Sequence, residues 1–262
     1  MGKITNLISE VPSKVPPFHQ INHEINLIDP NKQINDQLPK CPDALKEELA
    51  EKISQYTSAG WWVPAMVFQA IPMLCILQNN CKLQTVFDLC QQNDNMEKDV
   101  SPDQDTIRHN VAHAQYRSKL DMSKAYEQIC VRPEDVPKTA FTTIFGMFMS
   151  LVMQQGDCNA PSTFQRLMTV VFREYISQFI YVYLGNIFIF SSTIEEHEKH
   201  LAMVFNKLCK AQLYLSQDKV DLYSQRMDCL SHIILDSGIH ADANKMQKIW
   251  DWRQPRNYHD VQ

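Results

Sequence analysis

The chain has 262 residues, is 44% hydrophobic, and sets 25 Lys and Arg against 30 Asp and Glu for a formal charge of -5. That length buries a substantial interior. No apolar run reaches the roughly 18 residues a membrane span needs and no charged-then-apolar leader opens the chain, so an intracellular soluble protein is expected.

Taken in chain order, the first periodic segment runs from Asp43 to Gly60. Leu45, Leu49, Ile53 and Tyr56 recur at helical spacing with Glu and Lys between them, and Gly60 is the stop. Trp61 to Leu77 and Lys82 to Leu89 read as strands, with Gln78-Asn79-Asn80-Cys81 as the hairpin tip. Gln91 to Asp105 is polar and expected to be irregular, including Val100-Ser101-Pro102-Asp103. Ser118 to Asp121 reads as a strand ending in a carboxylate, followed by a short helical segment from Met122 to Ile129. Asn159-Ala160-Pro161 is a helix start, and Phe164, Leu167, Met168, Val171, Phe172 and Tyr175 form the buried stripe behind it. Thr193 and Glu196 have capping-box spacing at the head of a helix that reaches about Ala211.

Between those two helices, the apolar runs Phe179 to Val182 and Ile187 to Phe190 frame Tyr183-Leu184-Gly185-Asn186. Gly and Asn both tolerate positive φ, so a tight two-residue turn is expected at Gly185-Asn186. Strands near Leu120, Tyr181 and Ile187 are expected to lie against the two helices.

The 8 cysteines are scattered, without a C-x-x-C pair or zinc-ribbon spacing, and read as buried or incidental thiols in a reducing compartment. His197 with His200, or His109 with His113, have a spacing that could place two metal ligands on one helical face. No third ligand is spaced to join either pair, so solvated or capping histidines are the expectation.

Asp121-Met122 with Tyr126, Pro137 to Phe141, Gln154-Gln155-Gly156 with Pro161 to Gln165, and the hairpin around Gly185 occur in a characteristic order. Together they resemble the reverse transcriptase of gypsy-type LTR retrotransposons, particularly fungal elements. The likeness begins near Asn22-His23-Glu24-Ile25, passes through Gly60-Trp61-Trp62 and Val86-Phe87-Asp88-Leu89, and continues through Leu213 to Ser216 as far as Asp251-Trp252-Arg253. It implies an α+β fold of right-hand polymerase fingers and palm, with an antiparallel palm sheet packed on helices. The implied organisation is an N-terminal segment over 1–21, fingers and palm entry over 22–117, palm with the active-site hairpin over 118–240, and a truncated thumb or connection over 241–262. On this resemblance, RNase H and integrase parts are expected to lie outside this stretch.

The family's chemistry is RNA-templated DNA synthesis, an in-line phosphoryl transfer assisted by two Mg²⁺ ions held on clustered aspartates. By this resemblance Asp121 is the metal-binding and catalytic aspartate, and Gly185 and Asn186 occupy the places of two lost aspartates. The Met122 carbonyl, Tyr126 beneath the sugar, Gln155 and Lys219 line the nucleotide site. Gln78 and Gln84, with Asn79, stand where fingers cations reach the triphosphate. Cys90 replaces a second arginine, and Cys81 and Ser231 replace turn glycines. RNA template, RNA-DNA hybrid and dNTP are the implied partners. The charge of -5 argues for weak nucleic-acid binding, although a local basic stripe can sit on an acidic domain. The implied outcome is a polymerase with impaired catalysis, or a non-catalytic nucleic-acid-binding or protein-interaction remnant of the same fold.

Overall fold

A computed structural model describes residues 7, 11–32, 39–77, 83–97, 105–230 and 232–252. Helix α1 (Lys46–Ser58) follows a 3-10 turn at Asp43–Leu45 and ends before Gly60, whose φ of +73° takes the chain out of the helix. Leu49 and Tyr56 on its buried face meet Trp61, Trp62 and Phe141 in an aromatic core.

The expected strand from Trp61 to Leu77 is broken. Only β1 (Trp62–Pro64) and β2 (Ile71–Leu77) are extended, and Met66 and Phe68 in the intervening loop are fully exposed. The apolar run is continuous, but two strands leave to pair with different partners. β3 (Leu83–Phe87) pairs antiparallel with β2 from Leu77↔Leu83 to Met73↔Phe87. The tip residues Gln78 to Cys81 lie outside the described residues, as do Val100 to Asp103 and Ser231.

The segment expected to be irregular holds a helical turn, α2 (Cys90–Asn93), and a further helix, α3 (Asp105–His113), starts at its end. β5 (Phe141–Thr143) and β6 (Gly146–Ser150) join the first sheet in the order β1-β6-β5-β2-β3. That sheet therefore draws strands from both sides of residue 118, where the sequence suggested a division.

The second sheet has the order β4-β8-β7, with β4 (Tyr116–Asp121), β7 (Ile180–Tyr183) and β8 (Asn186–Ser191) all antiparallel. Alternation along its strands sorts side chains onto two faces. Leu120, Ile180, Val182, Ile187 and Ile189 pack on α4 (Ala160–Val171) and α5 (Ile194–Ala211). Tyr181 does not join them. With Phe188 it faces α3 and a third sheet of β9 (Met227–Cys229), β10 (His232–Leu235) and β11 (Gly238–Ala241). The stripe on α4 buries Phe164, Leu167 and Met168 as expected, while Phe172 and Tyr175 follow the end of the helix. Thr193 Oγ1 accepts the Glu196 N–H at the head of α5, 3.3 Å away. α6 (Ala243–Trp250) closes the described chain. No helix among the described residues is long and apolar enough to cross a membrane.

Candidate active site

The hairpin turns one residue earlier than its composition suggests. Tyr183 pairs with Asn186 across the two strands, so Leu184 and Gly185 are the turn, at φ of +46° and +93°. Positive φ at both central residues gives the primed geometry that matches strand twist. Asn186 is the first residue of β8 and lies opposite both Tyr183 and Asp121. Cross-strand partners share a face, so Asp121 and Asn186 lie on the sheet face away from α4 and α5.

Asp121 is held at the end of β4 by its backbone. Its carbonyl accepts the Ser216 N–H at 2.9 Å, and the next residue, buried Met122, donates to the Gly185 carbonyl at 3.0 Å. The strand end and the turn are thus fastened together. The Asp121 side chain is 24% exposed, and Lys219, on a 3-10 turn at Gln217–Lys219, places its ammonium 3.7 Å from Oδ2. Asn186 Oδ1 is buried without a hydrogen-bond partner. Among the described residues no group of three or more His, Cys, Asp or Glu is arranged to hold a metal ion.

A Cβ added to Gly185 would meet only the Ala125 Cβ, at 3.8 Å. Space is available, but the backbone angle is one that side-chain-bearing residues avoid. Gly185→Ala is therefore expected to cost about 1 kcal/mol of unfolding free energy through backbone strain alone. Urea denaturation checks this, and an unchanged midpoint would show that the turn relaxes.

The remaining residues singled out from sequence fall into two groups. Tyr126 belongs to the 3-10 turn Ala125–Gln128 beside Asp121 and meets the Phe164 ring edge-on at 6.4 Å. Burial raises its phenol pKa. Gln155 is exposed in the loop before α4. That loop is fixed by buried Asp157, which accepts from Asn159 N at 2.8 Å and contacts His23 Nε2 at 3.0 Å. Gln84 lies on β3 opposite Ile76, in the other sheet, and Cys90 is exposed at the start of α2. Gln78 lies outside the described residues.

Sequence reasoning missed the contact that joins the two sheets' surroundings. Tyr56, counted as an apolar helix position, donates its hydroxyl to Glu127 Oε1 at 2.7 Å, and the Lys124 ammonium lies 5.6 Å from the Tyr56 ring centre and 5.3 Å from that of Trp61. Burial, then the Glu127 charge and hydrogen bond, push the Tyr56 phenol pKa up. The only signal was a polar edge on an otherwise apolar stripe.

The histidines of α5 are also not as expected. His197 is fully buried and linked to Ser118 and Ser191, so it is neither solvated nor a cap.

The sequence profile of the family described as reverse transcriptase (RNA-dependent DNA polymerase) matches residues 71–234, more than half of the chain. The "Retrovirus-related Pol polyprotein from transposon opus" of Drosophila melanogaster is 32% identical over 160 residues, covering 61% of this chain and 16% of that protein. The "Transposon Tf2-7 polyprotein" of Schizosaccharomyces pombe is 26% identical over 98% of this chain and 21% of its own length. The chain therefore spans about a fifth or less of these relatives. Among solved structures, foamy viral protease-reverse transcriptase dRH in complex with double-stranded DNA superposes with a TM-score of 0.80 at 20% identity, covering 99% of this chain and 46% of that one. The foamy viral enzyme in complex with RNA/DNA hybrid gives 0.78 at 18% identity, covering 99% and 35%. These likenesses give the fold, an α+β fingers and palm. With the match over residues 71–234, they make this chain a member of the reverse transcriptase family.

Proposed function

We propose that this chain is the reverse transcriptase domain of a gypsy-type retrotransposon polyprotein in which nucleotidyl transfer is impaired. Asp121, opposite a neutral Asn186 and 3.7 Å from the Lys219 ammonium, carries this reading. Two Mg²⁺ ions at ~3.5–4 Å separation need several carboxylate oxygens to offset their mutual repulsion. One carboxylate facing an ammonium, with an amide oxygen beside it, does not fit such a pair.

What this chain's own residues still offer is positioning. Tyr126 and the backbone of Met122 border Asp121, Gln155 and Lys219 are exposed toward solvent, and the Leu184-Gly185 turn is anchored to β4. These residues suit retention of nucleotide or hybrid more than turnover. The segment limits 1–21, 22–117, 118–240 and 241–262 remain part of the proposal, with 141–150 returning to the fingers sheet.

Primer extension on an RNA template, with Mg²⁺ or Mn²⁺, tests the reading. Extension by the wild-type chain is expected to be at least a hundredfold below that of a three-aspartate relative, roughly the 3 kcal/mol that a lost electrostatic contribution costs. A rate within tenfold would overturn it. A second reading, binding without catalysis, draws support from the intact fold around an altered site. A gel shift with RNA-DNA hybrid that weakens steeply with salt would support it, and no shift at low salt would exclude it.

A further inference from the structure

Cys41 and Cys75 are remote in sequence but adjacent in the fold. Lys40 forms a parallel bridge with Leu74, and the Cys75 N–H donates to the Lys40 carbonyl at 3.3 Å. The segment at Lys40 therefore continues the edge of the first sheet where β5 leaves β2. Cys41, one residue past this isolated bridge, lies close enough to Cys75 for their side chains to hydrogen-bond, and paired backbone segments ~4.8 Å apart fall within the ~4.4–6.8 Å Cα separation a disulfide spans. Both side chains pack on the same aromatic core around Trp62 and Phe141. The Cys41 thiol lies 3.5 Å from the Pro42 carbonyl, which leaves its sulfur lone pairs free to accept from Cys75. Burial first, then a hydrogen bond and charge repulsion from Cys41, push the Cys75 thiol pKa up to about 12.

Both cysteines are half-buried, but their surroundings differ. Cys41 lines an open pocket with Lys40, Lys46 and Phe145, whereas Cys75 sits within β2 opposite Thr85, where the Lys52 ammonium is held 2.7 Å from the threonine hydroxyl. A thiol at the edge of a pocket beside Lys40, with Lys46 paired to Asp43 and a second thiol behind it, suits an attacking and a resolving cysteine.

We propose that Cys41 and Cys75 are an oxidisable dithiol, a modification site at which a low-molecular-weight disulfide such as oxidised glutathione cross-links the segment preceding α1 to β2. The Cys41 thiolate attacks one sulfur of the oxidant, forming a mixed disulfide and expelling one glutathione thiolate. The Cys75 thiolate then attacks the Cys41 sulfur and expels the second. Two protein thiols are oxidised, the oxidant is reduced to two thiols, and the protons lost by the cysteines end on the leaving groups. Because burial keeps Cys75 protonated, its attack is the slow step, and cross-linking quickens with pH by up to about tenfold per unit below the thiol's own pKa.

The test is incubation of the folded wild-type chain with oxidised glutathione, followed by alkylation of free thiols and peptide mapping. The expected result is a linked pair of peptides containing Cys41 and Cys75, reversed by dithiothreitol, with a rise of several degrees in melting temperature. Cys75→Ser is expected to stop at a glutathione adduct on Cys41, and Cys41→Ser to leave Cys75 unmodified. If the wild-type chain under the same treatment acquires an adduct on exposed Cys90 but no Cys41–Cys75 link, the proposal fails. It also fails if either cysteine pairs with a different one, or if linkage appears only in urea.

Discussion

Placing a carboxylate at each hairpin position, with Gly185→Asp and Asn186→Asp together, is expected on the proposed reading to raise RNA-templated primer extension about a thousandfold over the wild-type chain, a gain of ~4 kcal/mol in transition-state stabilisation. The register of the hairpin gives the two substitutions different parts. Residue 186 begins β8 directly opposite Asp121, so an aspartate there places a second carboxylate on the same sheet face. Residue 185 lies in the turn, where a side chain has room against Ala125 but the φ of +93° strains the backbone. Without a divalent ion, opposed carboxylates repel and the double variant should melt below the wild-type chain. With Mg²⁺ or Mn²⁺ its melting temperature should rise with metal concentration, because the ion binds the folded state selectively. The wild-type chain, whose Asp121 faces the Lys219 ammonium, should show little such response. A metal-dependent rise without recovered extension would assign the remaining deficit to the fingers sheet, where Gln84 lies on β3 opposite Ile76. Neither response would mean that residues 121, 185 and 186 do not converge, and the reading of the site would fall.

How much of this was readable in the sequence depends on how local each cause is. The capping interaction at Thr193, the proline start of α4 and the stop at Gly60 are settled within one helical turn, and each was legible. The turn at Leu184-Gly185 was misplaced by one residue because Gly185-Asn186 also tolerates positive φ. What decides between them is the pairing of Tyr183 with Asn186, which keeps Val182 and Ile187 on one face and Tyr181 and Phe188 on the other. That constraint is tertiary, since a one-residue slip would invert both faces. The break at Met66 and Phe68 and the recruitment of β5 and β6 to the first sheet are likewise consequences of pairing between distant segments. Asp121, Met122 and Tyr126, which the resemblance groups, lie near the turn, Met122 bonded to Gly185 and Tyr126 next to Ala125. Tyr56–Glu127 and Ser118–His197 were not legible, because a polar group that looks merely tolerated in a stripe gains its partner from another element.

His197 yields the second large effect, a loss of stability on mild acidification. It is fully buried on the face of the second sheet opposite Asp121, with Ser118 Oγ 2.7 Å from Nε2 and Ser191 Oγ 2.9 Å from Nδ1. One assignment of protons satisfies the whole chain of groups. The Tyr223 N–H donates to Ser118, whose hydroxyl donates to Nε2; Nδ1–H then donates to Ser191, whose hydroxyl donates to His200 Nδ1 at 2.8 Å. A proton added at Nε2 would oppose the Ser118 hydroxyl and break that order. Burial holds the His197 pKa down at about 4, with His200 beside it adding to the effect; burial likewise lowers His200. The flanking Tyr116 and Tyr223 rings supply no counter-charge. In the unfolded chain the imidazole titrates near its ordinary ~6.5, so only the unfolded state takes up this proton between there and about 4. The stability His197 supports is complete above ~6.5 and is lost as pH falls through that window, at up to ~1.4 kcal/mol per unit, or ~2 kcal/mol by about pH 5. His197→Gln removes the titration while keeping a donor and an acceptor. It is expected to cost ~1–3 kcal/mol at neutral pH and to flatten the acid slope by one proton. Urea unfolding of both chains between about pH 7 and 5 distinguishes this from the ordinary loss of carboxylate ion pairs, which both share. Equal slopes would show that His197 titrates as if exposed, and that the serine-histidine chain opens before the fold does.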